Sequence, residues 1–471
     1  MKRILLKCAA LLLVWFLLAM ALLRVQAVVR DRIQNRHYAV QSVVSSLAGQ
    51  QTLIGPVLVQ QCTVTRAVVK NGITEHISSS AEHMLLPARL EHHAQVDMQT
   101  LYRSLHRVNT YGVTDRVTAR FLQVDGWMAG AQYKLAPGET LRCAPDFRLA
   151  LAVSDPRGIR QAQLRINNGA AGQEIALAAD TPLKHYRRGL QAVLTADMLD
   201  GPDLPVTLDL TLLGTERLSF VPLGRENVVE LSGNWPHPAF GGSFLPVQRS
   251  VDAAGFSARW ELSALASSAR QAFEQGQSPC RFSPDDAASY RYRSGINGEE
   301  ALDCLQTQAT GFISPVNPYS LSERATKYGL LFVLLTFVAV GLFEVLKNLR
   351  VHPVQYLLVG AGLSMFFLLL TSLSEHMAFG FAYLGASAAC VLLLGHYASH
   401  VLGGVRRGAP FAAGIGALYG FLYVLLQLEQ SALLVGSLAL FAVLAGIMIS
   451  TRHVDWYAFG RQEQAARGQP E

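Results

Sequence analysis

Residues 328–346 read YGLLFVLLTFVAVGLFEVL, an apolar run whose one charged side chain, Glu344, sits near its far end. A helix needs about 20 mainly apolar residues to cross roughly 30 Å of hydrocarbon, where no water can satisfy an open backbone N–H or C=O. Four further runs of this kind follow, at residues 354–373, 378–394, 411–428 and 432–449. Another, ILLKCAALLLVWFLLAMALL at residues 4–23, opens the chain. This pattern decides the fold class. It predicts an integral membrane protein with six transmembrane α-helices, one before and five after a large extramembrane insertion. The apolar fraction of 51% over 471 residues agrees, since it exceeds what soluble chains usually carry.

The first run also fits a cleavable signal, because Val25-Gln26-Ala27 resembles a small-residue cleavage site. Arg24 beside that site, and apolar helical spacing that continues through Val28 and Val29, favour an uncleaved anchor. The loop charges then set an orientation. With the N-terminus inside, the cytoplasmic segments hold Lys2, Arg3 and Lys7, then Lys347 and Arg350, then Arg406 and Arg407, then Arg452. The two short outside loops, 374–377 and 429–431, contain no Lys or Arg. This is the positive-inside pattern, so both termini are expected in the cytoplasm of a bacterial inner (cytoplasmic) membrane protein. The expected organisation is an anchor at 1–29, a periplasmic β-rich domain at 30–327, a five-helix membrane domain at 328–451 and a cytoplasmic tail at 452–471.

The inserted domain shows period-two alternation, which marks strands with one buried face. Val206, Leu208, Leu210 and Leu212 alternate with Thr207, Asp209 and Thr211. Phe256, Ala258, Trp260 and Leu262 alternate with Ser257, Arg259 and Glu261. Asn71-Gly72, between strand-like residues 65–70 and 73–77, has the residues for a tight hairpin, and Asn168-Gly169 and Asn297-Gly298 read as further turns. Short strands at such spacing predict a sandwich or barrel-like architecture. Helices are expected at 30–47 and near 262–275.

The six cysteines divide by compartment. Cys8 and Cys390 fall in membrane spans and read as packing. Cys62, Cys143, Cys280 and Cys304 would face an oxidising periplasm, where disulfides persist. Four cysteines allow three connectivities, and the residues alone do not choose. A Cys280–Cys304 bridge closing a polar excursion is preferred, with Cys62–Cys143 as its complement.

Chemistry-bearing motifs are sparse. No H-E-x-x-H, G-x-S-x-G or phosphate-cradling glycine loop occurs, and no Cys/His spacing suits zinc, so neither cofactor nor metal nor enzymatic activity is expected. The net charge of +6 is not gathered into a basic, aromatic-laced patch, which argues against nucleic acid. The adjacent His92-His93 would point apart on any regular element and reads as a surface turn. Asp155-Pro156-Arg157-Gly158 reads as a strand-ending turn, although Asp155 and Arg157 could engage a polar ligand. Asn234-Trp235-Pro236-His237-Pro238 offers an indole and an imidazole between rigid prolines, so Asn234, Trp235 and His237 are candidates for partner or ligand contact. Glu344 is the candidate intramembrane polar site, read as an interfacial carboxylate beside Lys347. Glu375 and His376 read as a helix end. Gly360, Gly362, Gly414, Gly416 and Gly420 suggest close helix packing.

Several of these stretches together resemble one family. Ser232-Gly233-Asn234-Trp235-Pro236-His237-Pro238-Ala239-Phe240 with Phe244-Leu245-Pro246 is one, and Glu323-Arg324-Ala325-Thr326-Lys327-Tyr328-Gly329 another. Phe343-Glu344, residues 352–360 (HPVQYLLVG), Leu373-Ser374-Glu375-His376, Asp455-Trp456-Tyr457, Gly55-Pro56 and Asp155-Pro156-Arg157-Gly158-Ile159 complete the set, in order along nearly the whole chain. The chain thereby resembles the CreD family of bacterial inner-membrane proteins. The resemblance implies the same anchor, periplasmic domain and multi-helix unit. It further implies membership of a two-component regulon that answers nutrient or envelope stress, with links to colicin tolerance and cell-envelope integrity. It brings no catalytic residues, and the four periplasmic cysteines are not part of its pattern. The leading expectation is a non-enzymatic envelope-stress protein whose periplasmic domain binds an envelope component or protein, with the lipid bilayer as its other partner. The alternative is a transporter or channel working through the C-terminal bundle.

Overall fold

The structure, a computed structural model, describes all residues except 1, 71–72, 104–105, 129–134, 137–138, 167–172, 200, 281–292, 295–299, 302–303, 313–317, 348–351, 402–403, 429–431 and 453–471. It divides into two compact units, Tyr38–Pro315 and the pair Met1–His37 with Val316–Glu471.

The chain begins with α1 (Lys2–Ser46). The helix expected at 30–47 is therefore the continuation of the first apolar run, without a break. There follow β1 (Gln51–Lys70), β2 (Ile73–Leu85), β3 (Arg89–Arg103), β4 (His106–Leu122), α2 (Val124–Met128), β5 (Glu139–Val153), β6 (Ile159–Ile166), β7 (Gln173–Ile175), β8 (Ala178–Ala179) and β9 (Gly189–Leu194). The domain continues with β10 (Asp203–Thr215), β11 (Arg217–Phe220), β12 (Glu226–Gly233), β13 (Ala239–Gly242), β14 (Gln248–Val251), β15 (Phe256–Ser263), α3 (Ala269–Glu274), β16 (Arg293–Ser294), β17 (Glu300–Ala301) and β18 (Gln308–Gly311). Five helices follow among the described residues: α4 (Pro318–Lys347), α5 (Pro353–Ser374), α6 (Phe379–Val401), α7 (Val405–Gln427) and α8 (Ala432–Thr451).

Among the described residues, two eight-stranded sheets and the small β16–β17 pair make the β unit. The first runs β13-β18-β11-β1-β5-β9-β8, with β2 also paired to β1, and the second runs β14-β15-β12-β3-β4-β10-β6-β7. Both are mainly antiparallel, each with one parallel pairing, β1 with β11 and β12 with β3. The main core lies between them. Leu53, Leu58, Phe147 and Leu149 of the first sheet meet Leu90, Val117, Leu208 and Trp260 of the second. The second sheet has one dry face, so its strands alternate as the sequence suggests. Along β10, Leu204, Val206, Leu208, Leu210 and Leu212 are buried. Its other face carries ion pairs such as Arg116–Asp209 and His93–Glu230.

The first sheet differs because both its faces are covered. Ile54, Val57, Val59, Ala150 and Ala152 form a second core with Leu183, Leu223, Leu305 and the α3 residues Ala272 and Phe273. Residues 51–60 of β1 are consequently all buried, with no alternation in exposure. A strand covered on both faces gains from apolar residues at every position.

The Lys70↔Ile73 pairing makes β1–β2 the expected hairpin. Asn71-Gly72, Asn168-Gly169 and Asn297-Gly298 lie outside the described residues. The helix expected near 262–275 is shorter, because Leu262 and Ser263 still pair with β12 and only Ala269–Glu274 is α-helical.

In the helical unit, Phe332, Phe366, Phe367, Tyr383 and Tyr419 form an aromatic core, in which the Tyr383 hydroxyl donates to the Tyr419 carbonyl at 2.7 Å. Gly360 and Gly362 let neighbours approach. A Cβ at Gly360 would lie 2.1 Å from Leu18 of α1, and one at Gly362 would lie 2.9 Å from Leu394 of α6. At Gly414 and Gly420 a Cβ would meet no described atom within 4 Å, and at Gly416 only Val391 at that limit, so none of these three packs closely against a described residue. Among the described residues, the helical segments Ala9–Ser46, Pro353–Ser374, Phe379–Val401 and Gly408–Gln427 are long and apolar enough to cross a bilayer, and Leu434–Gly446 is a shorter apolar helix. The chain is a membrane protein with a large two-sheet β domain.

Candidate functional site

The two sequence candidates in the β domain have different surroundings. Asp155 caps the 3₁₀ turn Pro156–Gly158 that leads β5 into β6. Its Oδ1 accepts from the Arg157 backbone N–H at 3.3 Å and from Arg157 Nε at 2.9 Å, while its Oδ2 accepts from the Gly49 N–H at 2.9 Å and from Arg157 Nη2 at 2.6 Å. Arg157 then donates through Nη1 to the Ser45 carbonyl at 2.6 Å and through Nη2 to that of Val44 at 3.3 Å. Those carbonyls belong to the last turn of α1, where a helix has acceptors with no internal partner. The Gln51 side chain ties the turn to β10 by donating to the carbonyls of Asp155 and Leu213, each at 2.9 Å. Gly158 completes the closure, since a Cβ there would sit 2.2 Å from the Leu213 carbonyl oxygen. The Arg157 side chain first, and the Gly49 and Arg157 N–H groups with it, hold the Asp155 carboxyl down at about 2. Both its oxygens are committed, so the turn is a splice between helix and sheet.

Asn234, Trp235 and His237 follow β12. The Asn234 side chain continues the β12–β3 seam, donating to Asp97 Oδ1 at 2.8 Å and accepting the Met98 N–H at 2.7 Å. Trp235 packs its half-buried indole on the main core and donates Nε1 to the His237 carbonyl at 2.8 Å. The His237 imidazole is exposed and meets the Trp235 ring edge-on, with centroids 6.4 Å apart. It hydrogen-bonds no described residue. Beyond it, β13 and β14 are the outer strands of the two sheets. Apolar side chains stand in the open here: Leu245 and Val247 are each 67% exposed and Val251 is 47%. Every residue of β14 is exposed, although β14 is still an ordered strand paired to β15. The structure thus places an unpaired imidazole and an apolar edge on one connected segment, 234–251, and places the Asp155 turn elsewhere in the fold.

Inside the main core lies a polar pair that corrects the surface turn expected of His92-His93. Both residues are on β3, and they face opposite ways. His93 reaches Glu230 at 2.9 Å on the solvent side. His92 is 2% exposed and its Nδ1 lies 2.8 Å from Asp115 Oδ2, with Asp115 fully buried. His92 Nε2 and Asp115 Oδ1 have no hydrogen-bond partner among the described residues. A signal is present in the alternation, since Leu90, Ala94 and Val96 bracket His92, and Val113, Val117 and Ala119 bracket Asp115, all of them buried.

The structure joins Cys62 of β1 to Cys143 of β5, which are register partners, and Cys280 to Cys304 beside the Pro279–Leu305 bridge. Cys390 is free and buried. Glu344 lies on α4, and its side chain is outside the described ones. Glu375 ends α5 and meets Arg32 of α1 at 3.5 Å. No cluster of three or more His, Cys, Asp or Glu suited to a metal occurs among the described residues.

A family model described as "Inner membrane protein CreD" matches residues 3–457. The inner membrane protein CreD of Escherichia coli strain K12 is 31% identical over 450 residues, covering 96% of this chain and 93% of that protein. A solved structure from Legionella pneumophila, provisionally described as a nutrient-binding protein, aligns over 43% of this chain and 68% of its own, at 8% identity and a TM-score of 0.20. That likeness is too slight to bear on fold or function.

Proposed function

The chain belongs to the CreD family of inner membrane proteins, and we propose that it is a non-enzymatic protein of cell-envelope integrity and envelope-stress response, acting through a periplasmic binding domain. In this reading α1 and α4–α8 are six spans, with both termini in the cytoplasm. The loop charges support that orientation, with Lys2, Arg3, Lys7, Lys347, Arg350, Arg406, Arg407 and Arg452 inside and none at 374–377 or 429–431.

The observation that carries the binding role is the segment from His237 to Val251. Apolar side chains at an outer strand are costly to leave in water and are a liability for edge-to-edge association, and an envelope protein or component docked there would cover them. Trp235 contributes by holding its loop, and His237 by offering free ring nitrogens.

The test is a Trp235→Ala/His237→Ala double variant in cells lacking the native protein. Membrane insertion at the normal level with loss of envelope resistance to detergent is the expected result. Full resistance in an inserted variant would remove this surface from the function. Periplasmic-side crosslinking from position 247 would then identify what docks. Topology is checked by cysteine labelling at Met377, which is exposed just after α5, and at Arg406; the two positions should be reached from opposite sides of the membrane.

A further inference from the structure

We infer that a second site on the β domain, a basic cleft walled by residues 184–188, binds a small phosphate-bearing anion. The cleft encloses about 360 Å³, and its walls include Ser154, Lys184, His185, Tyr186, Arg187 and Arg188. That volume is at the small end of ligand pockets and suits a phosphate or diphosphate group with a modest substituent.

The loop that supplies the cations is fixed in place. The Thr181 hydroxyl donates to the Tyr186 carbonyl and the Thr181 N–H to that of Arg187. The Val153 N–H donates to the Arg188 carbonyl at 2.9 Å, which fastens the loop to the end of β5. Leu183 is buried in the second core. The Tyr186 hydroxyl donates to the Gln277 carbonyl at 2.6 Å, and its ring stacks on Phe273 with planes 9° apart. The His185 ring lies against Gly276, which has φ +71° and where a Cβ would come within 2.3 Å of the imidazole.

Lys184, Arg187 and Arg188 are exposed and form no ion pair or side-chain hydrogen bond with a described residue, although Arg116, Arg120, Arg148, Arg165 and Arg259 of the same domain each find a carboxylate. Among the described residues, no carboxylate lines the cleft. Glu82 accepts the Lys184 backbone N–H at 2.7 Å, and Asp155, which follows the wall residue Ser154, is held by Arg157. A fixed backbone that brings Lys184, Arg187 and Arg188, none of them paired with a described carboxylate, to the walls of one concavity is preorganised for an anion. Paired guanidinium groups fit phosphate oxygens in a bidentate manner, and focused positive potential raises the local anion concentration. Free phosphorylated solutes and phospholipid headgroups share this chemistry. The site is independent of the His237–Val251 surface and stands or falls apart from it.

The experiment uses the full chain in a phosphate-free maltoside detergent. Pyrophosphate is titrated calorimetrically, and short-chain, water-soluble phosphatidylglycerol and phosphatidylcholine are titrated alongside. Saturable pyrophosphate binding that weakens with added salt is expected. Arg187→Gln/Arg188→Gln should weaken it by about tenfold or more while the melting temperature without ligand stays unchanged. Arg66→Gln, which removes an exposed arginine from the far half of β1, should bind like the native chain. Phosphatidylglycerol that displaces pyrophosphate, where phosphatidylcholine does not, would assign the site to a headgroup, and failure to displace would assign it to a soluble phosphorylated solute. Absence of saturable binding to pyrophosphate and phosphatidylglycerol alike, or equal losses in Arg66→Gln and the double variant, would overturn the site.

Discussion

The Asp155 turn and the Trp235–His237 loop both carry the family resemblance, and both combine charged or aromatic groups with proline in a few residues. Their surroundings separate them. Around Asp155 both carboxylate oxygens, the Gln51 amide and the Arg157 guanidinium bond within the fold, and the beneficiary is the junction of α1 with β1, β5 and β10. Around His237 the internal bonds fix the path of the chain and leave an imidazole and an apolar edge in solvent. Dense chemistry in a short motif is thus no guide to binding until its partners are counted. A group with all its hydrogen-bonding capacity met inside the protein stabilises, and one held still but unmet can recognise.

The contrast can be broken most sharply at Gly158. Gly158→Ala drives a methyl into the Leu213 carbonyl, and we expect a loss of about 3 kcal/mol in domain stability, read from denaturant unfolding of the full chain in detergent. An unchanged midpoint would show that the turn is slack and could admit a ligand.

Next comes Asp155→Ala, expected to cost about 2–3 kcal/mol through the lost cap and the stranded Gly49 N–H. Its pH signature follows from sign. The folded carboxyl is depressed from 3.8 to about 2, so its stabilisation is fully present above the unfolded value and is lost as pH falls through the folded one. Between about pH 4 and pH 2 the native chain should lose about 2 kcal/mol that Asp155→Asn does not lose, and parallel pH profiles would refute the assignment.

Arg157→Ala should cost less than Asp155→Ala in the same unfolding measurement, because its guanidinium is half-exposed and water can replace part of its bonding to Val44 and Ser45. The smallest effect on stability is expected for His237→Ala, within about 0.5 kcal/mol, together with a clear loss of envelope resistance in cells. A large stability loss there would make the loop a second splice and erase the contrast.

The legibility of the two sheets differs for a related reason. The second sheet has one wet face, so β10 and β15 announce themselves by alternation, and Val206–Leu212 point inward as their period suggests. The first sheet is covered on both faces, so the apolar start of β1 has no period to read. The burial of His92 is hard to read from sequence because a histidine pair is usually found at the surface, and only the carboxylate of Asp115 across the strand pair makes burial of one of them tolerable. Glycines in the spans look alike in sequence, yet Gly360 admits Leu18 while Gly414 and Gly420 have no described neighbour that close, since identical residues differ only by which face a neighbour takes.

The sequence by itself determined the membrane character, the split between apolar helices and an intervening β domain, and the family, because apolar length, period-two alternation and ordered motifs are local properties of the chain. Tertiary structure alone decided which motif is a splice and which an open surface, and it alone gathered Lys184, Arg187 and Arg188 with Ser154 into one cleft. The physical reason is that whether a polar or apolar group is satisfied depends on neighbours brought from distant parts of the chain. Such partners as Gly49 for Asp155, or Gly276 for His185, exist only once the chain has folded.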